Sequence, residues 1–272
     1  MVPSWIRVKT LGRRNKMIKQ PNTMLTYTDS MVAWEKLNEA FIRNDVGLIS
    51  TYRGRALYSY NVTILIFRPE VDPKFDFGRH FNYTIAKWKS LVRNYVNYGE
   101  LYSLKEEILK EEGKKSMYNI AYQFSNSHKH GKNCLLSMVF SRRDSKGTPY
   151  ISVFLRASEV TKRLICDLLL FQRIGEYIYG NNLFSLVIHF NQMFNDDTVL
   201  LMYNAHKDVH KILKKSEDKD RKKILKERLD YLLTCDPEDI KYKVHKRAFK
   251  VLRPELYKYP KTLAKDCKLH FR

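Results

Sequence analysis

Residues 161–180, TKRLICDLLLFQRIGEYIYG, carry apolar side chains along most of their length and end on a glycine. The pattern predicts a long apolar helix with a glycine cap signal. Its neighbours in sequence are strand-like. Residues 134–141 and 150–155 are apolar runs joined by RRDSKGTP, a polar connection of hairpin type that places both runs in one sheet, and residues 183–190 read as a further strand.

The remaining pattern alternates between the two element types. After Asp29, a plausible cap, residues 30–44 place Val32, Leu37 and Phe41 at helical spacing. Residues 61–68 form an apolar strand ended by Pro69, residues 84–98 return to helix, and 103–112 begin with a capping box, Ser103 followed by Glu106. A short strand is expected over 199–203. Beyond Ala205 the chain is helical and densely charged, and its final basic segment is broken by Pro254 and Pro260. The expected organisation is a basic arm over 1–28, an α+β domain over 29–215 and a charged helical C-terminal extension over 216–272. There is no internal repeat, GxGxxG, Walker loop or HExxH.

Lys and Arg number 50 against 29 Asp and Glu, a formal charge of +21 that exceeds what solubility requires and repels itself in the compact state. An anionic partner offsets such an excess, and nucleic acid, phosphorylated small molecules and an acidic membrane surface are the candidates. For nucleic acid the expected contacts are Arg13, Arg14, Lys16 and Lys19 in the arm, and Lys241, Lys243, Lys246 and Arg247 near the C-terminus. Both segments also read as ordinary solvated surface. No membrane is expected as a partner: the apolar runs fall short of the ~20 residues that span a bilayer. The N-terminus lacks the apolar core of a secretory signal. Cys134, Cys166, Cys235 and Cys267 form no CxxC pair, so reduced thiols in the cytoplasm are expected. His128 and His130 lie near Cys134, but a fourth ligand and finger spacing are missing, and no metal is assigned.

Chemistry-bearing residues follow in a particular order. The first strand opens at Cys134, the hairpin carries Gly147, and the return strand ends in Arg156-Ala157-Ser158-Glu159. Asp167 stands eleven residues after Arg156 in the apolar helix, and His206 follows in LLMYNAHKDVH. This order resembles the catalytic half of thymidylate synthase and its relative deoxycytidylate hydroxymethylase, over about Tyr118 to Leu213. The resemblance implies an α+β, thymidylate-synthase-like mixed sheet with flanking helices, to which this chain adds basic terminal extensions. It also implies a homodimer acting on a pyrimidine nucleotide, with 5,10-methylenetetrahydrofolate as cofactor if the chain is catalytically active. Cys134, Arg156 and Asp167 take the catalytic positions, and Arg156, Asp167 and His206 those that bind substrate.

In such chemistry a thiolate adds to C6 of the base and makes C5 a nucleophile towards a one-carbon unit, and a nearby Arg favours the thiolate. The family's uracil-reading Asn is here Asp167, which suits the N3 and N4 edge of cytosine. Each residue also has a plainer role: Cys134 as a small apolar strand residue, Arg156 as an ion-pair partner of Glu159, and Asp167 as an acid at a helix N-terminus. The sequence departs from the family at Ile85, where a folate-side Glu is expected, and at Ala157 and Asp208, in place of Ser and Tyr. The paired phosphate-binding Arg before the cysteine have no counterpart; Arg142-Arg143 lies beyond it. The two readings are therefore one-carbon transfer to C5 of a cytosine-type nucleotide, and a non-catalytic nucleic-acid-binding or assembly protein on a degenerate thymidylate-synthase-like or other α/β scaffold.

Overall fold

In the computed structural model, which describes residues 23–44, 50–53, 56–110, 120–123, 134–141, 148–180 and 183–269, strand β1 (Thr23–Asp29) runs directly into helix α1 (Ser30–Arg43). Strands β2 (Ser50–Arg53) and β3 (Ala56–Arg68) lead to helices α2 (Phe77–Phe81), α3 (Ile85–Tyr95) and α4 (Tyr98–Lys110). Then come β4 (Ile120–Gln123), β5 (Leu135–Phe140), β6 (Tyr150–Glu159), α5 (Arg163–Tyr179) and β7 (Ser185–Asp196). Helices α6 (Asp197–Leu201), α7 (Val209–Lys214), α8 (Lys219–Thr234) and α9 (Lys243–Leu252) complete the described chain.

The fold is α+β, built on a mixed sheet of order β1-β3-β7-β6-β5-β4. β1 is parallel to β3 and β6 to β7, while the other pairs are antiparallel. One edge of β3 serves two partners in succession, β2 over Ala56–Ser59 and β1 from Val62 onward. Asn61, with φ 52°, lies at the changeover, and Asn is among the residues that tolerate this left-handed geometry.

Burial alternates along the central strands, as a half-covered sheet demands. Ile64 and Ile66 of β3, Leu186 and Ile188 of β7, and Ile151 and Val153 of β6 are buried. Between them Leu65, Val187 and Ser152 remain partly exposed. Twelve of the 17 residues of α5 are buried, so this helix is enclosed almost all round, as its composition predicts. At Gly175 a Cβ would stand 2.2 Å from the Phe184 ring, and only glycine permits so close an approach.

The turn between β6 and α5 is tied down by buried polar groups. Thr161 donates from its hydroxyl to Asn38 Oδ1 at 2.6 Å and accepts from Asn195 Nδ2 at 2.8 Å, while its carbonyl accepts from Trp34 Nε1 at 2.7 Å. Helix α1 and the end of β7 thereby fix where α5 begins. Glu159 caps that beginning, its carboxylate accepting from the N–H groups of Thr161 (2.8 Å), Lys162 (2.7 Å) and Arg163 (3.2 Å). These donors would otherwise lack partners at a helix N-terminus.

Several sequence expectations change here. Residues 23–28 of the expected arm form most of β1, and Arg13, Arg14, Lys16 and Lys19 lie outside the described residues. The expected strand over 199–203 is helical: β7 runs on to Asp196, whose side chain accepts from Thr198 N and starts α6. Ser103 lies inside α4, which begins at Tyr98 after Asn97 has accepted from Gly99 N at 3.1 Å, so the capping box is not used. The helix expected over 84–98 ends at Tyr95.

The charged C-terminal segment packs on the same core. Leu225, Leu229, Leu232, Phe249 and Val251 are buried in it, and Trp88 Nε1 donates to Lys268 O at 2.9 Å. Arg221, 1% exposed, pairs with Asp197 at 3.1 Å and donates to the carbonyls of Ile42 (3.1 Å) and Phe41 (2.6 Å), joining α8 to the end of α1. Without Arg221 the buried Asp197 keeps Arg228 at 3.5 Å but loses its closer partner, and the carbonyls of Ile42 and Phe41 lose a donor. Arg221→Ala is therefore expected to lower the unfolding free energy by about 3–5 kcal/mol. A urea titration with an unchanged midpoint would rule this out.

Candidate functional site

The hairpin and α5 bring three of the four expected site residues to one corner of the sheet. Arg156 N donates to Cys134 O at 2.7 Å, which sets the end of β6 against the start of β5. The β5–β6 register shifts between Leu135 and Ser137, next to the cysteine. Cys134 N in turn reaches the Tyr95 hydroxyl at 3.4 Å. Two residues beyond Arg156, Ser158 Oγ donates to Asp167 Oδ2 at 3.0 Å, anchoring the carboxylate in the first turns of α5.

Burial pushes the Asp167 carboxyl up from 3.8 to about 7, against the Ser158 hydrogen bond and the Arg163 charge, which pull it down. Burial raises the Tyr95 hydroxyl as well, with the Asp167 and Cys134 charges adding to the effect. Asp167, Tyr95 and Cys134 therefore share one electrostatic neighbourhood. The Glu159 carboxylate, named as the plainer partner of Arg156, accepts from the helix N–H groups. Arg156 itself is exposed and Cys134 partly so.

His206 is held in another cluster. Its Nε2 lies 2.8 Å from Glu35 Oε1, and its ring packs on Trp34, with centroids 4.9 Å apart, and beside His80 at 5.5 Å. Its described ring contacts, with Trp34, Phe75, His80 and Tyr203, belong to that cluster. Asp208, where the family pattern has Tyr, caps α7 by accepting from His210 N and Lys211 N. Ile85 is a partly buried apolar residue against the core.

Next to Asp167 opens a cleft of about 350 Å³ that the sequence reading did not anticipate. Lys87 and Asn94 of α3, Lys162 and Arg163 at the start of α5, and Arg247 of α9 line it, together with Tyr83. No acidic residue lines it. Burial pulls Lys162 below its ordinary pKa, and the charges of Lys87, Arg163 and Arg247 push the same way, so the four cations stand close together. Lys162-Arg163 was visible in sequence, but the arrival of Arg247 from a helix about eighty residues away was not. Lys241, Lys243 and Lys246 are exposed, as nucleic-acid contacts would have to be.

Among the described residues no group of three or more His, Cys, Asp or Glu could hold a metal ion. His128 and His130 lie outside them. All four cysteines are free, and burial pushes the Cys166 thiol, beside Asp167, well above its ordinary range. No described helix is long and apolar enough to cross a membrane. Comparison of the sequence with protein-family models and with curated proteins finds no match.

The raised Asp167 carboxyl makes a stability prediction. Between about pH 4 and 7 the folded chain holds a proton there that the unfolded chain releases, so stability falls as pH rises through that window. Glu159, raised by burial, acts in the same direction. Asp197, also raised by burial, adds a third contribution of the same sign, and Asp167→Asn removes one of the three. The fall in unfolding free energy from pH 4 to pH 8 should be smaller in the variant by about 1–3 kcal/mol, allowing for partial exposure. Parallel pH profiles for the two proteins would contradict it.

Proposed function

We propose that the chain is a thymidylate-synthase-like protein that captures a pyrimidine nucleotide of cytosine type and adds the Cys134 thiolate to C6 of the base. Asp167 carries the reading: its carboxyl is held by Ser158 on the strand whose Arg156 pairs with Cys134. A carboxyl raised to about 7 is present in both forms near neutrality. It can accept from the cytosine N4 amino group as a carboxylate, or donate to N3 as an acid. In the addition, the thiolate electron pair forms the S–C6 bond and the C5=C6 π pair moves onto C5. C5 then takes a proton from water. Loss of the original C5 hydrogen as a proton, with expulsion of the thiolate, restores the base.

In the family this activated C5 receives a one-carbon unit from 5,10-methylenetetrahydrofolate. The cleft beside Asp167 does not fit that group, because a flat pterin ring calls for a mainly apolar and aromatic lining and four cations face this cleft. Base capture and C5 exchange are the steps this chain's own residues support. The homodimer implied by the resemblance has a candidate surface in the outer face of the sheet, where Phe154 is 38% exposed and Leu65 and Val187 are partly exposed.

Deoxycytidylate is expected to bind more tightly than deoxyuridylate, whose O4 presents a second acceptor to Asp167. Asp167→Asn should shift the preference towards uracil by roughly five- to hundredfold, since an unpaired buried polar group costs about 1–3 kcal/mol. Tritium release from C5-labelled deoxycytidylate should stop in Cys134→Ser while nucleotide binding persists. Calorimetry that finds neither nucleotide bound at millimolar concentration would remove this reading.

A second reading, a non-catalytic nucleic-acid-binding protein, is favoured by the +21 charge and by the exposed Lys241, Lys243, Lys246 and Arg247. It expects duplex DNA binding that weakens with salt, each neutralised phosphate contributing about −0.9 to the slope of log K against log salt. Anisotropy titrations showing no binding at low salt would dismiss it.

A further inference from the structure

We infer that the cleft lined by Lys87, Lys162, Arg163 and Arg247 is a polyphosphate site, which takes the di- or triphosphate end of a small phosphorylated ligand. The inference does not rest on the base-recognition reading, although Arg163 also faces Asp167.

Charge is the first observation. None of the four cations forms an ion pair with a described acid, and Lys87 Nζ donates only to Asn82 O, at 2.8 Å. The nearby acids, Glu159 and Asp167, do not line the cleft, and burial pushes both towards the neutral form. Four cations that converge on one concavity repel one another, with Asp167 offsetting Arg163 in part, and an anion that enters relieves the repulsion. A phosphate monoester carries at most two negative charges. A diphosphate or triphosphate end comes closer to matching four.

Shape is the second observation. The cations come from three separate elements, α3, the start of α5 and α9, and converge on one space of about 350 Å³. That arrangement suits a compact chain of adjoining phosphates. A nucleic-acid strand spaces its phosphates along a backbone and calls for cations in a stripe. The helix N-terminus contributes little here, because Glu159 already occupies the N–H groups of residues 161–163. Lys162 and Arg163 must act through their side chains, in which the guanidinium can hold two phosphate oxygens at once.

The probes are inorganic tripolyphosphate, pyrophosphate and orthophosphate, titrated calorimetrically into the full chain at constant ionic strength. One site is expected, with affinity rising about tenfold or more from orthophosphate to tripolyphosphate, as charge-assisted bonds accumulate. Arg163→Ala with Arg247→Ala should weaken tripolyphosphate about tenfold or more, whereas Lys219→Ala with Lys226→Ala, on the exposed face of α8, should leave it unchanged. Arg247→Gln alone, at an exposed position of α9, keeps the test open if the double variant fails to fold. Asp167→Asn should leave tripolyphosphate binding intact or tighten it, since Asp167 partly offsets Arg163, which separates this site from the base-recognition reading. Equal losses in the two double variants would overturn the proposal in favour of diffuse attraction to a basic surface. So would a single-stranded oligonucleotide whose binding the cleft variants abolish while tripolyphosphate binding survives, since that would make the cleft part of a strand path.

Discussion

The arrangement of this molecule depends on the buried, hydrogen-bonded turn that joins β6 to α5. Thr161 is gripped by Asn38 and Trp34 of α1 and by Asn195 of β7, so three elements distant in sequence agree on one backbone position. Buried polar groups are costly when unpaired, and a network of this kind tolerates little displacement. Ser158 and Glu159 lie just before the turn, and Lys162, Arg163 and Asp167 just after it. Displacing Thr161 would move the carboxylate, its serine partner and two of the cleft's cations together.

Charge is distributed unevenly around that turn. Behind it, burial and the helix N–H groups compete over Glu159, and burial, Ser158 and Arg163 compete over Asp167. In front of it, cations gather with no acid among them. The chain carries a large positive excess, but in α8 and α1 much of the charge is locally answered, as where Arg221 meets Asp197 and Lys207 meets Glu35. In the cleft, by contrast, four cations converge with no acid among the lining residues.

The His206 cluster shows the other use of polar residues in this core. A histidine set between Glu35 and the rings of Trp34, Phe75 and His80 holds α1 against the segment after α6. Burial pulls His80 below its ordinary pKa, and its Nδ1 lies 2.8 Å from Asp76 O. Trp34 packs edge to face on Phe75 and His206, an arrangement suited to the ring quadrupoles, while Phe75 and His80 stack. Read along the chain, His206 resembles a site residue. In space its bonds are those of a structural one.

The sequence by itself determined the elements whose signals are local. The apolar run from 161 to 180 could only be an enclosed helix, the polar connection after Ser141 made the hairpin, and Asp29 capped α1, because periodicity and capping act within a few residues. It also set the spacing of Cys134, Arg156 and Asp167 along the chain. It misread 199–203 as a strand because β-branched and apolar residues are ambiguous over short runs, and the deciding interaction, the Asp196 cap, follows from where β7 ends. Only the tertiary structure decided that residues 216–269 belong to the same core, that His206 stands apart from Asp167, and that Arg247 joins Lys87, Lys162 and Arg163. Each of these depends on pairings between residues tens to more than a hundred positions apart, and long-range packing leaves no periodic trace in the segments it joins.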